Sequence, residues 1–387
     1  MVQLALVPKR QQRAESKMSP LDIKESHPAG IEDTKKNGLV SSKGPNSSDR
    51  SNPDTEIVLS ARRKRIPALD FTRGTLVLIM VLYHWLNYFV TADGTVYKYL
   101  RFLTPSFIFI TGFLISHLYL PKYQTSGLGI SKRLLLRGVK LLGIVLCLNI
   151  ALSTLHLKGF ETRVGGWSLG KIVAAYLTGT ASVAFSVLVP IAYLLILSAG
   201  LLIASRQYRN IYLVACALCV GCSLFLEWKG IKSGYVQIFS IGMLGVSVGY
   251  IPIERINRVV KRPLLIFLAY FTYLSAITLW DDTYPLQVWG VCVSLTVIYW
   301  IGLEDANASR MRKIAILLGQ YSLFAYIAQI VILQILRSGL RPLGHGMGVA
   351  SAAFLVCVVC TILSVEVLDR ARARMTGLNK VYSAVFG

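Results

Sequence analysis

The chain has 387 residues, with 41 Lys and Arg against 19 Asp and Glu, for a formal net charge of +22. Hydrophobic residues make up 54% and charged residues 16%. Soluble domains carry about 25% charged residues, so the composition excludes an ordinary soluble enzyme, a disulfide scaffold, a coiled coil and a wholly disordered chain. The basic residues sit mostly between apolar runs, where membrane topology accounts for them without a nucleic-acid partner.

Residues 1–66 are rich in Ser, Lys, Asn and Asp and almost devoid of aromatics. Such a segment cannot bury enough apolar surface to offset its ordering entropy, which predicts a disordered tail. Its first ten residues, MVQLALVPKR, form too short an apolar stretch for a signal peptide. The tail ends in Arg62-Arg63-Lys64-Arg65, a juxtamembrane basic cluster suited to anionic lipid heads.

From Pro67 onward, apolar runs long enough to cross about 30 Å of hydrocarbon follow one another. They fall at 67–90, 102–120, 134–155, 183–204, 209–226, 235–252, 263–280, 285–303, 313–336 and 347–368. Within 168–204 a short interfacial helix over 168–178 precedes the span. The pattern predicts an all-α, polytopic integral membrane bundle of about ten transmembrane helices over 67–370, with a short tail at 371–387. Lys and Arg in the flanks on the N-terminal side number twenty, against nine on the other. Both termini are therefore expected in the cytoplasm, as an even number of spans requires. All seven cysteines lie in apolar runs, including the Cys216, Cys219, Cys222 series, and read as small buried hydrophobes with no metal. Gly242, Gly245 and Gly249 suit small-residue packing between helices. Trp167, Trp228, Trp280 and Trp300 suit interfacial belts.

The first run, ALDFTRGTLVLIMVLYHWLNYFV, carries three ionisable residues, Asp70, Arg73 and His84. Such residues inside a span are costly and are functional candidates by default. Asp70 and Arg73 are neighbours at i and i+3. Arg73 and His84 are eleven residues apart, which returns to one helix face after three turns and separates them by about 16 Å. Asn87 extends the stripe by a further turn, and Leu, Val, Ile and Met fill its middle. The helix so offers a cation near the cytoplasm and an imidazole near the outer boundary, a separation that an extended pantetheine arm can bridge. A structural ion pair at Asp70 and Arg73, and a packed interfacial histidine at His84, are the plainer alternatives. On the third run, Arg133, Arg137 and Lys140 fall at i, i+4 and i+7 on one face. They form a candidate phosphate-binding face, which the resemblance given below makes a site for coenzyme A phosphates, or a set of snorkelling cations.

Several of these segments together resemble the acyltransferase-3 superfamily and its relatives around heparan-α-glucosaminide N-acetyltransferase. The resemblance rests on Arg73-Gly74 followed by His84 within a D-x-x-R-G helix, and on FLTPSFIFITGFLIS from Phe102 to Ser116, with Thr111 where Ser is usual. It rests also on the basic start Lys132-Arg133-x3-Arg137-Gly138-x-Lys140 and on Gly319-Gln320-Tyr321-Ser322-Leu323 followed by Tyr326. Gln329 stands where that family often has a His or another polar residue. The resemblance implies transfer of an acyl group, acetyl from acetyl-CoA in particular, to a glycan or other envelope acceptor. It implies that His84 is the catalytic histidine, that Arg73 belongs to the donor-side motif and that Asp70 is its partner. The chemistry agrees, because a neutral imidazole serves near pH 7 either as the base that deprotonates an acceptor or as a nucleophile that holds the acyl group.

The other polar candidates carry less. His117 lies near one end of the second run, and His156 and His345 at outward ends. Asp281 and Asp282 form an acidic outward loop able to bind acceptor hydroxyls or orient His84, or simply to be solvated. The competing reading of the whole chain is a secondary transporter or flippase with Arg73 and His84 as a proton-coupled relay. Such folds show internal repeats and broken helices, and no repeat is visible here.

Overall fold

The computed structural model describes residues 66–90, 94–121, 128–154, 185, 187–205, 207–208, 210–231, 233–280, 283–303, 309–340 and 346–386. The expected tail up to residue 65, the interfacial helix at 168–178, Trp167, His156, His345, Asp281 and Asp282 lie outside the described residues. Fourteen α-helices, two π-helical turns and no strand occur among the described residues. They are α1 (Pro67–Trp85), α2 (Gly94–Lys98), α3 (Leu103–Leu114), α4 (Leu128–Thr154), α5 (Leu188–Ala204), α6 (Ile211–Trp228) and α7 (Gly234–Val248). There follow α8 (Ile253–Val260), α9 (Pro263–Leu279), α10 (Tyr284–Leu303), α11 (Arg310–Gln320), α12 (Ser322–Leu340), α13 (Met347–Arg374) and α14 (Thr376–Phe386).

Five described stretches are long and apolar enough to cross a membrane: Val96–Tyr119, α6, α10, α12 and α13. A sixth arises if α7 and α8, bent by 103° at their junction, are one broken span. Helices α5 and α9 are apolar but shorter. In α1 the polar Asp70, Arg73 and His84 dilute an otherwise apolar helix. The sharp turn into α8 follows from its sequence: Glu254, Arg255 and Arg258 are exposed while Val260 is buried. An amphipathic segment of this kind suits a surface better than a bilayer centre.

Two sequence expectations change. The run at 313–336 is not one helix: Tyr321 breaks it, ending α11 and starting α12. The segment 371–387 is not a simple tail either, because α13 runs on to Arg374 and residues 376–386 form α14.

Helix α1 starts at Pro67, whose missing N–H is no loss in a first turn, with Asp70 at the positive end of the helix dipole. It packs against α3, α10, α11, α12 and α13, so the helix richest in ionisable residues lies inside the bundle. Its contact with α11 is close. A Cβ on Gly74 would overlap the Ala315 carbonyl, with the carbonyl carbon at 2.7 Å, and one on Gly319 would overlap the Asp70 carbonyl, with its carbon at 2.6 Å. Only glycine lets these backbones meet, as in small-residue packing within membranes. Helices α3 and α7 use the same device. Gly112 lies against Gly242, Gly245 against Phe109, and Gly249 against Phe113 and Ser116.

Candidate active site

Arg73 points from α1 toward the start of α12, where its Nη2 donates to Ser322 Oγ at 2.6 Å. Ser322 is buried, and Asp70 and Tyr382 are the electrostatic neighbours of the guanidinium. The glycine contacts explain how a short serine side chain reaches it. Gly319, three residues before Ser322, lies on the Asp70 carbonyl and draws the α11–α12 junction against α1.

His84 occupies the last turn of α1. The Tyr83 ring meets it edge-on, with centroids 5.4 Å apart. Tyr88 stacks on it at 6.0 Å with an interplanar angle of 19°. Tyr326 of α12 lies 6.2 Å away, tilted. Its Nε2 is buried and has no hydrogen-bond partner among the described residues. An imidazole nitrogen walled by rings but left unbonded is able to accept a proton or attack an electrophile, since no internal donor occupies it.

Arg73 and His84 therefore meet the same helix, through Ser322 and Tyr326 one turn apart on α12. The residue that follows His84 outward is Tyr88 rather than Asn87. Beyond Trp85 the chain widens into a π-helical turn over Leu86–Val90, in which Asn87 is exposed. Such turns recur at functional sites. Gln334 Nε2 donates to Tyr88 Oη at 3.3 Å, and the Arg337 guanidinium stands 5.7 Å over the Tyr88 ring. Tyr326 in turn meets Phe185 edge-on. Nothing in the sequence singles out Tyr88, Gln334 or Arg337 except that Tyr88 lies at i+4 from His84.

The basic face of α4 makes contacts of its own. Arg133 is exposed and Lys140 half-buried. Arg137 Nη1 donates to Tyr119 Oη, in the π-helical turn that ends α3, and its guanidinium lies 5.6 Å over that ring. His117, in the same turn, stacks on Phe113 at 5.2 Å. Thr111, where the motif has Ser, donates back to Phe107 O at 2.8 Å within its own helix. Gln329 is fully buried, and neither its Oε1 nor its Nε2 has a partner among the described residues. Among the described residues no group of three or more His, Cys, Asp or Glu is placed to hold a metal ion.

Comparison with known families gives one match: the acyltransferase-3 model, described as an acyltransferase domain, aligns with residues 66–368. No curated protein and no solved structure matches the chain. The matched region contains α1 to α12 and most of α13, and with them Arg73, His84, Ser322 and Tyr326.

Proposed function

Since the chain belongs to the acyltransferase-3 family and is a membrane acyltransferase, we propose that it moves an acetyl group from cytoplasmic acetyl-CoA to a glycan or other envelope acceptor. In this reading about ten helices cross the membrane, as the apolar runs suggest, and both termini face the cytoplasm. The Asp70–Arg73 end of α1 then faces the donor, and the His84 end faces the acceptor. Comparison lends the transporter reading no support.

The observation that carries the proposal is the His84 Nε2, buried among rings and unbonded, on the helix whose other end fixes Arg73. Two routes fit that nitrogen. In one it takes the proton of the acceptor hydroxyl or amine while the acceptor atom attacks the thioester carbonyl; the carbon–sulfur bond breaks and the thiolate leaves with coenzyme A. In the other, Nε2 attacks the carbonyl first, the carbon–sulfur bond breaks and the thiolate leaves with coenzyme A; the acceptor atom then attacks the acyl carbon, the nitrogen–acyl bond breaks, and the freed Nε2 takes the acceptor's proton. Arg73 binds donor anion charge, and Arg133, Arg137 and Lys140 hold donor phosphates from α4. Asn87, Asp281 and Asp282 bind the acceptor.

The test is transfer of radiolabelled acetyl from acetyl-CoA by membranes that contain the protein. His84→Ala should abolish transfer while leaving expression and the thermal unfolding midpoint unchanged. Wild-type transfer in that variant would refute the assignment.

A further inference from the structure

The C-terminal helix α14 docks at the Arg73 end of the site. Asn379 and Tyr382 make side-chain contacts with α13 and with the α11–α12 junction. Asn379 Oδ1 accepts from Arg372 Nη2 at 2.8 Å and from Nε at 3.2 Å. The Arg372 guanidinium lies 3.9 Å over the Tyr382 ring. Tyr382 meets Tyr321 edge-on at 5.5 Å and packs on the apolar cluster of Val77, Leu318, Tyr321 and Val365. Leu378, one turn before Tyr382, is half-buried. Tyr321 is itself anchored, donating to Asp369 Oδ1 at 2.6 Å and accepting from Arg372 Nη1 at 3.1 Å. It directly precedes Ser322, the partner of Arg73. Tyr382 and Arg73 are electrostatic neighbours.

Val381, at 60%, and Thr376, Gly377, Lys380, Ser383, Ala384 and Val385 are exposed. A helix held by two inward side chains and one hydrogen-bonded asparagine opens locally far more readily than the bundle beneath it. We propose that α14 is a hinged cover over the Arg73 end of the site, with Tyr382 as its seal, and that an anionic donor reaching Arg73 from that end displaces it. The cover itself rests only on these contacts. Its link to acyl-CoA rests on the function proposed above.

Two measurements on the full-length protein separate the two claims. The first is the rate at which phenylglyoxal labels Arg73, read by peptide mass spectrometry. Tyr382→Ala, and removal of residues 376–387, should each raise that rate about tenfold or more, as expected for an opening that no longer limits access. Asn379→Ala should raise it less, while Lys380→Ala, on the exposed face, should leave it unchanged. Equal rates in the wild-type and the shortened chain would overturn the cover. So would a rise for Lys380→Ala as large as for Tyr382→Ala, the mark of general loosening. The second is the association rate of coenzyme A, which should rise by a similar factor in the shortened chain. Faster labelling with unchanged coenzyme A association overturns α14 as the donor gate. Faster labelling with no coenzyme A binding to either chain upholds the cover and refutes the acyl-CoA reading.

Discussion

Gly319→Ala is expected to disable the protein although it adds a single methyl group far from His84. The new Cβ would overlap the Asp70 carbonyl oxygen and lie 2.6 Å from its carbon. Carbon atoms in contact prefer about 3.5 Å or more, so α1 and α11 must part by about 0.9 Å. Both groups are helical backbone, and neither can swing aside as a side-chain tip would. Ser322 follows Gly319 by three residues, so the same displacement stretches the 2.6 Å Arg73–Ser322 bond toward about 3.5 Å, where it no longer counts as one. Overpacking of this kind costs about 1–3 kcal/mol. Losing a hydrogen bond to a charged group adds about 1.5–3 kcal/mol. Together these predict a loss of about 2.5–6 kcal/mol. The assay is thermal unfolding of the purified protein in detergent, paired with acetyl transfer. Gly143→Ala is the control, because a Cβ there meets nothing within 4 Å, and alanine is the better helix former. A Gly319→Ala variant that unfolds at the wild-type temperature and keeps wild-type transfer would refute the argument that this contact builds the site.

Ser322→Ala removes the acceptor of the Arg73 bond without moving a helix; kcat/KM for the donor should fall by about ten- to a hundredfold, and the protein should lose about 1.5–3 kcal/mol of stability, less than in Gly319→Ala. An unaltered kcat/KM would show that Arg73 needs no such anchor. Gln329→Met replaces a fully buried amide that has no partner at either atom with an apolar chain of similar length. It should stabilise the protein by up to about 1–3 kcal/mol, the cost of an unsatisfied buried polar group. Destabilisation on thermal unfolding would show that the amide is bonded in the membrane.

The legible parts of the sequence were those set by chemistry along one helix. Asp70, Arg73 and His84 stand out because ionisable groups are expensive in a span, and their spacing fixes a common face without knowledge of any neighbour. Gly242, Gly245 and Gly249 announced close packing for the same reason, since small residues at helical intervals have few other uses. What was hidden depends on neighbours. Hydropathy averages across Tyr321, so 313–336 reads as one span. The break shows only when Tyr321 is seen bonded to Asp369 and Arg372 from α13. Tyr88 carries no mark in the sequence beyond its place four residues after His84, and nothing in its context points to Gln334 or Arg337. Residues 376–386 are too few to cross a membrane and so read as a tail, because the packing of Tyr382 on α11 and α13 cannot be seen in the sequence. The D-x-x-R-G motif was recognised, but the reason for its glycine lies in Ala315, more than two hundred residues away.

The double attachment of α12 bears on how the two ends of α1 are kept in register. Arg73 and His84 are about 16 Å apart along α1, whereas Ser322 and Tyr326 are about 6 Å apart along α12. The long side chains of Arg73 and Tyr326 make up the difference. Both polar ends are thus referenced to one turn of a single helix, and a bend in α1 between them is corrected at each end by the same partner. That turn begins directly after Tyr321, where the chain breaks and α11 is locked onto α1 by Gly74 and Gly319. Its first residue, Ser322, is tied to Arg73, and Gly319 three residues earlier meets the Asp70 backbone.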